Sequence, residues 1–256
     1  SDLWQEQQYQ AINERCREIL NESPMDYRAL VFNGFAYFYR SVGRYTPEER
    51  LPFLDGAIWS LRKALLYEAG EDRGRIEYVL GKSYHFKGNF YADLTIEYLE
   101  SSIQDGYVGE DSYEYLGLAY SGIGEYEQSA HYFELAVEQR PTDMRYLALA
   151  QAYINAGDKE AAERFLLRTI NKTNDPSVEQ KARFLIGSIY FENDELTKAE
   201  DQYRSILELN PRSADAHYYL GEILMKYGRS IEARAEWREA LRIDPSHYGA
   251  RLRYYP

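Results

Sequence analysis

The amino-acid sequence predicts an all-α solenoid of about six helical hairpins, preceded by an N-terminal helix. Three observations lead to this prediction. The same order of residues returns about every 34 positions, apolar residues inside each unit recur at intervals of three and four, and Gly and Pro fall where a helical hairpin has to turn or end. A single hairpin cannot bury its apolar faces alone, so stacking of neighbours supplies the core.

The repeat interval is clearest near the C-terminus. Pro211 and Pro245 lie 34 residues apart, and Leu220 follows Ile186 by the same interval, each with a glycine directly after it. Leu116 opens the same pattern further upstream. The units are expected to begin near Tyr27, Gly74, Glu110, Asp143, Gln180 and Ala214.

Two kinds of glycine support the hairpin. A glycine near the middle of a unit, such as Gly157, lies where the first helix must stop and left-handed geometry costs little. A glycine inside the first helix, such as Gly117, costs about 1 kcal/mol relative to Ala, so we expect close approach of the second helix to compensate. We expect small residues such as Ala136 to make that contact from the second helix.

The two ends of the chain depart from the regular unit. Residues 1–24 are expected to hold one amphipathic helix over residues 3–21, the second half of a degenerate repeat, followed by the repeat array over residues 25–245. In the first unit a long connection over residues 41–49 contains a capping box from Thr46 to Glu49, which predicts a helix restart at Pro47. Residues 246–256 form a tail or the start of a further helix, and the missing initiator Met suggests a longer parent protein.

The order Leu-Gly-x-x-Tyr, then Ala, an aromatic residue, Ala and Pro resembles the tetratricopeptide repeat (TPR) family. This resemblance covers about residues 25–245. It implies a right-handed superhelix whose first helices line a concave groove, and it implies that the second, fifth, ninth and twelfth positions of each first helix face that groove.

About half of these positions are apolar or aromatic, which suits an extended or helical peptide with apolar anchors. The alternative is that curvature of the solenoid or the leading helix covers some of them. The candidate groove residues are Phe35, Phe38, Tyr78, Lys82, His85, Leu118, Leu147, Gln151, Ile154, Phe184, Phe191, Tyr218 and Met225.

The charge of the chain restricts the classes of partner that it is expected to bind. A net charge of −12 argues against nucleic acid and anionic membranes, because phosphate binding needs clustered Lys and Arg. Residues 88–139 contain no Lys or Arg, whereas residues 226–253 are arginine-rich. This polarity can steer a partner or head-to-tail self-assembly, and a merely solvated acidic face is an equal alternative.

No constellation for catalysis, a cofactor or a metal is recognisable. Cys16 is the only cysteine, and the four histidines are scattered without a second ligand four residues away. We found neither a glycine-rich phosphate loop nor a nucleophile paired with a histidine. The chain is therefore not expected to be an enzyme, and no apolar run reaches the ~18 residues of a membrane span.

The function predicted from the sequence is that of a protein–protein interaction scaffold holding a peptide or helix in the groove. One alternative is a structural component of a larger assembly or homo-oligomer, using its ends and convex face. Another is a transporter-associated carrier of a small ligand. The expected partner is a protein or peptide, with a basic segment as one option, and the compartment is open between the cytoplasm and, after removal of a signal or anchor, an exported or periplasmic location.

Overall fold

A computed structural model describes residues 7–67 and 72–255 of the chain. These residues form fourteen α-helices, one short 3-10 turn and no strand, which confirms the all-α prediction. The chain divides into two compact units, Ser1–Gln139 and Arg140–Pro256. Each unit is built of antiparallel helical hairpins, and contacts between neighbouring hairpins complete its core.

The first unit contains a leading helix and three hairpins. The leading helix is α1, and the hairpins pair α2 with α3, α4 with α5, and α6 with α7. Their bounds are α1 Tyr9–Glu22, α2 Tyr27–Val42, α3 Pro47–Ala64, α4 Arg73–Lys87, α5 Ala92–Gln104, α6 Ser112–Gly122 and α7 Tyr126–Gln139. The start of the predicted leading helix, before residue 7, lies outside the described residues, and Gln7 and Gln8, which were also predicted as helical, precede α1.

The second unit contains three hairpins and a final short helix. The hairpins pair α8 with α9, α10 with α11, and α12 with α13. The bounds are α8 Asp143–Ala156, α9 Lys159–Lys172, α10 Pro176–Glu192, α11 Leu196–Leu209, α12 Ala214–Lys226, α13 Ser230–Ile243 and α14 Tyr248–Tyr254. We call α2, α4, α6, α8, α10 and α12 the first helices, since each opens a hairpin.

The predicted helix starts hold, with local differences. Thr46 Oγ1 accepts a hydrogen bond from the Glu49 amide at 3.2 Å, and α3 begins at Pro47 as the capping box predicted. The connection before it is shorter than expected, because α2 continues to Val42. The fifth hairpin starts four residues early, at Pro176, since the Asp175 carboxylate caps the amide of Ser177 at 2.8 Å.

The glycines behave as turn and packing residues. Gly157 ends α8 in the left-handed region with φ +84°, where residues with a Cβ are strained. A Cβ built on Gly117 would lie 2.8 Å from the ring of Phe133. The close approach of the second helix is thus confirmed, but the ring of Phe133 makes it. Ala136, for which a contact with the first helix was predicted, is fully buried.

Each unit has its own apolar core. In the first unit, Leu30, Leu54, Leu61, Ile76 and Leu80 are fully buried, one after another along three consecutive helices. In the second unit the fully buried residues include Leu166, Ile186, Tyr203, Ile206 and Ala216. Burying one such aliphatic side chain contributes about 1.5–3 kcal/mol, so the stacked hairpins fix the first helices that carry the candidate site.

A buried polar ladder ties the leading helix to the first hairpin. The side-chain amide nitrogen of Asn13 in α1 donates to the side-chain oxygen of Asn33 at 2.8 Å and to the backbone oxygen of Asn33 at 2.9 Å. Asn33 in α2 then donates to Ser60 Oγ in α3 at 2.9 Å. Arg40 completes the ladder by donating to Asn13 Oδ1 at 2.9 Å. Three helices therefore share one set of hydrogen bonds.

Candidate functional site

A pocket of about 490 Å³ lies on the first helices of the second unit. The helices α8 and α10 form its walls, and the start of α12 closes one end. We call it the α8–α10 pocket. It is lined by Met144, Leu147, Ala148, Gln151, Gln180, Lys181, Phe184, Leu185, Ser213 and Asp215.

The floor of the α8–α10 pocket is apolar and packed against the core of the second unit. Leu147 is 6% exposed and belongs to the core of the unit. Phe184 is half-buried, with its ring edge-on to those of Tyr203 at 6.0 Å and Tyr219 at 5.6 Å. Because these rings hold Phe184 in place, the floor is formed before any ligand arrives. Met144 stands at the rim with 56% of its surface exposed.

Polar groups of both signs flank this floor. Lys181 of α10 is exposed, and the exposed carboxylate of Asp215 on α12 lies 3.1 Å from Nε2 of His247. The side chain of Gln151 donates to Asn155 at 2.9 Å and so keeps its own oxygen available as an acceptor. The pocket therefore offers an apolar seat with a cation, an anion and amide groups around it.

Three of the predicted groove residues meet in this pocket, namely Leu147, Gln151 and Phe184. Leu147 contributes floor rather than exposed surface, because packing within the hairpins buries it. Sequence reasoning did not single out Ala148, Leu185 or Ser213. Ala148 and Leu185 sit one residue after the predicted positions Leu147 and Phe184, where a strict four-position rule overlooks them.

The remaining predicted residues of the second unit lie outside this pocket. Ile154 and Phe191 are partly buried against the core, and the Phe191 ring lies 5.8 Å from that of Tyr219. Tyr218 packs on the ring of His247 at 5.0 Å. Met225 is 42% exposed. Their role in binding a partner stays a prediction.

In the first unit, the predicted residues Tyr78, Lys82 and His85 form a closed cluster with Asp111, which directly precedes α6, and with Tyr115 of α6. Lys82 Nζ lies 2.8 Å from Asp111 Oδ2, and the Tyr78 hydroxyl donates to Asp111 Oδ1 at 2.5 Å. His85 packs on the ring of Tyr115 at 4.6 Å. We call these five side chains the Lys82 cluster.

The cation of the Lys82 cluster is almost enclosed. Its side chain is only 13% exposed, and the ammonium lies 4.9 Å, 5.1 Å and 5.7 Å from the ring centres of Tyr78, Tyr115 and Phe38. Electron-rich ring faces attract cations at such distances. Lys82 is thus satisfied inside the protein, and the cluster joins two successive first helices.

Ionisation in the Lys82 cluster follows from its burial. Burial raises the pKa of Tyr78, and the hydrogen bond to Asp111 raises it further. Burial together with the negative charge of Asp111 raises the pKa of Tyr115 to about 12. Burial, and then the positive charge of Lys82, lowers the pKa of His85. At neutral pH the two tyrosines therefore keep their protons and His85 is uncharged.

The other predicted residues of the first unit are scattered. Phe38 is 4% exposed and packs against Phe86 with 6.2 Å between ring centres, so its side chain offers almost no surface to a partner. Leu118 is 41% exposed on α6. Phe35 lines a separate pocket of about 420 Å³ near the starts of α2 and α4.

The described residues form neither a metal centre nor a helix that could span a membrane. No group of three or more His, Cys, Asp or Glu side chains within residues 7–67 and 72–255 is arranged to hold a metal ion. In the same parts of the chain, no helix combines the length and the apolar character needed to cross a bilayer.

Comparison with known proteins identifies the repeat. A family model described as tetratricopeptide repeat matches residues 115–179, 147–213 and 184–248, which together span just over half of the chain. Among curated proteins, the peroxisomal targeting signal receptor of Kluyveromyces lactis is 33% identical over 76 residues, covering 30% of this chain and 13% of the receptor. The chain spans from about a tenth to about half of the length of the curated relatives it matches.

Solved structures show the same fold. The C-terminal part of a TPR repeat-containing protein from Cytophaga hutchinsonii superposes with a TM-score of 0.71 at 16% identity, covering 98% of this chain and 96% of that one. YrrB, described as a TPR protein with an unusual peptide-binding site, gives a TM-score of 0.58 at 18% identity, covering 74% of this chain and 95% of YrrB. At such identities the likeness is one of fold alone.

Proposed function

The chain belongs to the tetratricopeptide repeat family, and from this membership we propose that it is a protein–protein interaction scaffold. In this proposal the α8–α10 pocket holds a segment of a partner polypeptide by an apolar side chain. The observation that carries the proposal is an apolar floor, built from Leu147, Phe184 and Leu185, that opens to solvent beside the exposed Met144 and Lys181.

The shape of the pocket favours a polypeptide over an isolated small ligand. Its rim residues Met144, Lys181 and Asp215 are all exposed, so the pocket opens to solvent and does not enclose a small ligand. Lys181 and Asp215 also carry opposite charges, so main-chain carbonyl and amide groups of a segment would both find partners. A bound segment would lie across α8, α10 and the start of α12.

The named relatives support this choice of ligand class. The receptor from Kluyveromyces lactis is named for a targeting signal, and YrrB for a peptide-binding site. Both names belong to those proteins. They make a peptide the first ligand to test on the pocket described here.

The test is selection of peptides from a random library displayed on phage, followed by affinity measurements on the full chain. Met144→Glu places a charge at the exposed rim and should weaken the selected peptides about tenfold, since burying an unpaired charge is costly. Met144 is largely exposed, so the variant should fold normally, which circular dichroism checks.

Leu167→Glu is the matched control, because Leu167 is also an exposed apolar residue of the second unit, at 39%, but lies on the second helix α9 outside the pocket. It should leave peptide affinity unchanged. Equal losses in the two variants, or a library that yields no binder, would contradict the proposal.

A second candidate function, assembly with copies of itself, is favoured by the exposed face of α14. Tyr248, Leu252 and Tyr255 are 76%, 57% and 70% exposed. Apolar surface of this kind is commonly covered by a partner. Light scattering should then show a species larger than the monomer, and Leu252→Glu should reduce its mass. A monomer at all concentrations would exclude this candidate.

A further inference from the structure

The first unit carries a second pocket whose chemistry differs from that of the α8–α10 pocket. It has a volume of about 420 Å³ and lies between the first turns of α2 and α4. We call it the Arg28–Arg75 pocket. It is lined by Tyr27, Arg28, Val31, Phe32, Phe35, Asp72 and Arg75.

The two arginines of this pocket have no counter-ion among the described residues. Within residues 7–67 and 72–255, neither Arg28 nor Arg75 forms an ion pair or a side-chain hydrogen bond, although most other cations near first helices do. Asp72 lines the same pocket but lies beyond ion-pair distance of both. Two guanidinium groups against one carboxylate leave the pocket positive in a chain whose net charge is −12.

The floor of the pocket is apolar. Val31 is 7% exposed, Phe35 is partly buried against the core of the first unit, and Phe32 is 47% exposed at the edge. An aliphatic or aromatic side chain would therefore be desolvated on this floor, while a neighbouring anion meets the arginines. Arginine presents a planar fork of donors that matches a carboxylate in two parallel hydrogen bonds.

We propose that the Arg28–Arg75 pocket is a second recognition site, which binds a carboxylate next to an apolar side chain on a partner polypeptide. Charge complementarity and the adjoining apolar floor both select this ligand. The carboxylate is that of an Asp or Glu side chain next to the apolar residue. The site lies in a different unit from the α8–α10 pocket and is tested separately from it.

The Arg28–Arg75 pocket also changes the charge expected of the partner segment that binds there. The overall acidity of the chain suggested a partner with a basic segment, whereas this pocket selects an acidic residue. A partner that carries both basic and acidic residues would suit both the acidic surface and this pocket.

The probe is a fluorescein-labelled, amide-capped peptide of sequence Gly-Ser-Glu-Phe-Glu-Ser-Gly, titrated with the full chain and followed by fluorescence anisotropy. Two analogues replace both Glu by Gln, or Phe by Ala. A third peptide, Gly-Ser-Gln-Phe with a free terminal carboxylate, distinguishes a chain terminus from a side chain as the source of the anion.

The Glu peptide should bind about tenfold more tightly than its Gln analogue, and more tightly than its Ala analogue. Arg28→Gln and Arg75→Gln should each weaken it about 5- to 10-fold, in the range of charge-assisted hydrogen bonds at a half-open site. Arg17→Gln, an exposed arginine of α1 outside the pocket, should change the affinity less than twofold. Both pocket arginines are exposed, so folding should be unaffected.

Three results would overturn the proposal, namely equal binding of the Glu and Gln peptides, equal effects of Arg17→Gln and Arg75→Gln, or no binding at millimolar peptide. Tighter binding of the free-carboxylate peptide than of the capped Glu peptide would also overturn the proposal, because the anion would then be a chain terminus. The Met144→Glu variant should bind the Glu peptide as the parent does, which separates this site from the α8–α10 pocket.

Discussion

At the scale of single residues, Lys82 shows how a position that looks free for binding is used internally. Its ammonium is held by the Asp111 carboxylate at 2.8 Å and by the faces of three rings. Removing it would leave Asp111 and the Tyr78 hydroxyl without their cation in a poorly solvated place. An unpaired charge of this kind costs more than the pair contributes.

We therefore predict that Lys82→Met destabilises the chain by roughly 1–2 kcal/mol, allowing for the partial exposure of Asp111. The measurement is urea denaturation followed by circular dichroism. Lys198→Met, which removes a much more exposed lysine paired with Glu195, should have a clearly smaller effect. Equal shifts of the two midpoints would refute the structural role of the Lys82 cluster.

Two histidines should titrate in opposite directions. Burial and Lys82 lower the pKa of His85, whereas the hydrogen bond that Nδ1 of His217 donates to the Glu236 carboxylate at 2.6 Å raises the pKa of His217. His217 thus contributes stability that is complete below about pH 6.5, the ordinary value, and is lost as the pH rises through its folded pKa. His85 contributes stability above that value, which is lost as the pH falls through its folded pKa.

Imidazole proton shifts measured by NMR against pH should therefore place His85 below and His217 above the value of a free histidine. Glu236→Gln should move the titration of His217 back toward that value and leave His85 unchanged. Coincident titrations, or the reverse order, would show that the surroundings of these two rings differ from those described.

At the scale of elements, the leading helix α1 is attached by polar as well as apolar contacts. The ladder from Asn13 through Asn33 to Ser60 is buried, so each of its groups depends on the next for a hydrogen bond. Such a ladder fixes how three helices align, because a shift by one turn would leave every member without a partner.

Asn33→Leu should accordingly cost about 1–3 kcal/mol, since it removes the side-chain acceptor of the Asn13 amide and the donor to the Ser60 hydroxyl inside the core, and leaves Asn13 only the backbone oxygen of residue 33. Hydrogen exchange should show α1 losing protection before the other helices. Asn21→Leu is the control, because Asn21 is an exposed residue of α1. Uniform loss of protection along the whole first unit would contradict this account.

The elements also show what the sequence could predict. Helix starts at Pro47, Asp143 and Ala214 follow from caps and from the 34-residue interval, which are local signals. The ion pair of Lys82 could not be predicted from local signals, because its partner Asp111 belongs to the next hairpin, 29 residues away. Likewise, the burial of Phe38 and Leu147 depends on neighbouring helices. Because the prediction used only the position of each residue within its repeat, it assigned both to the groove and did not detect their burial.

At the scale of the molecule, the tyrosines account for part of the contact between hairpins. The sequence has 26 of them, more than a sealed core accommodates. Glu100 of α5 accepts hydrogen bonds from the hydroxyls of Tyr120 at 2.7 Å and Tyr132 at 2.8 Å, both in the following hairpin. Glu163 accepts in the same way from Tyr190 at 2.6 Å.

We predict that Glu100→Ala lowers the free energy of unfolding of the first unit by about 1–3 kcal/mol, because two half-buried hydroxyls lose a charged acceptor. Glu100→Gln keeps an acceptor oxygen and should cost less. Hydrogen exchange should report faster opening of α6 and α7. If the Ala and Gln variants opened these helices equally, the tyrosine hydroxyls would have no part in joining the hairpins.

Ion pairs also recur at close to the length of one repeat. Lys87 meets Asp55, Lys226 meets Asp194, and Arg253 meets Glu222, at separations of 32, 32 and 31 residues. Each of these ion pairs joins one repeat to the next. Duplication or deletion of a whole hairpin during evolution would therefore disturb these ion pairs at one junction between repeats. An insertion of a few residues inside a helix would instead misalign the ion pairs on both sides of that helix.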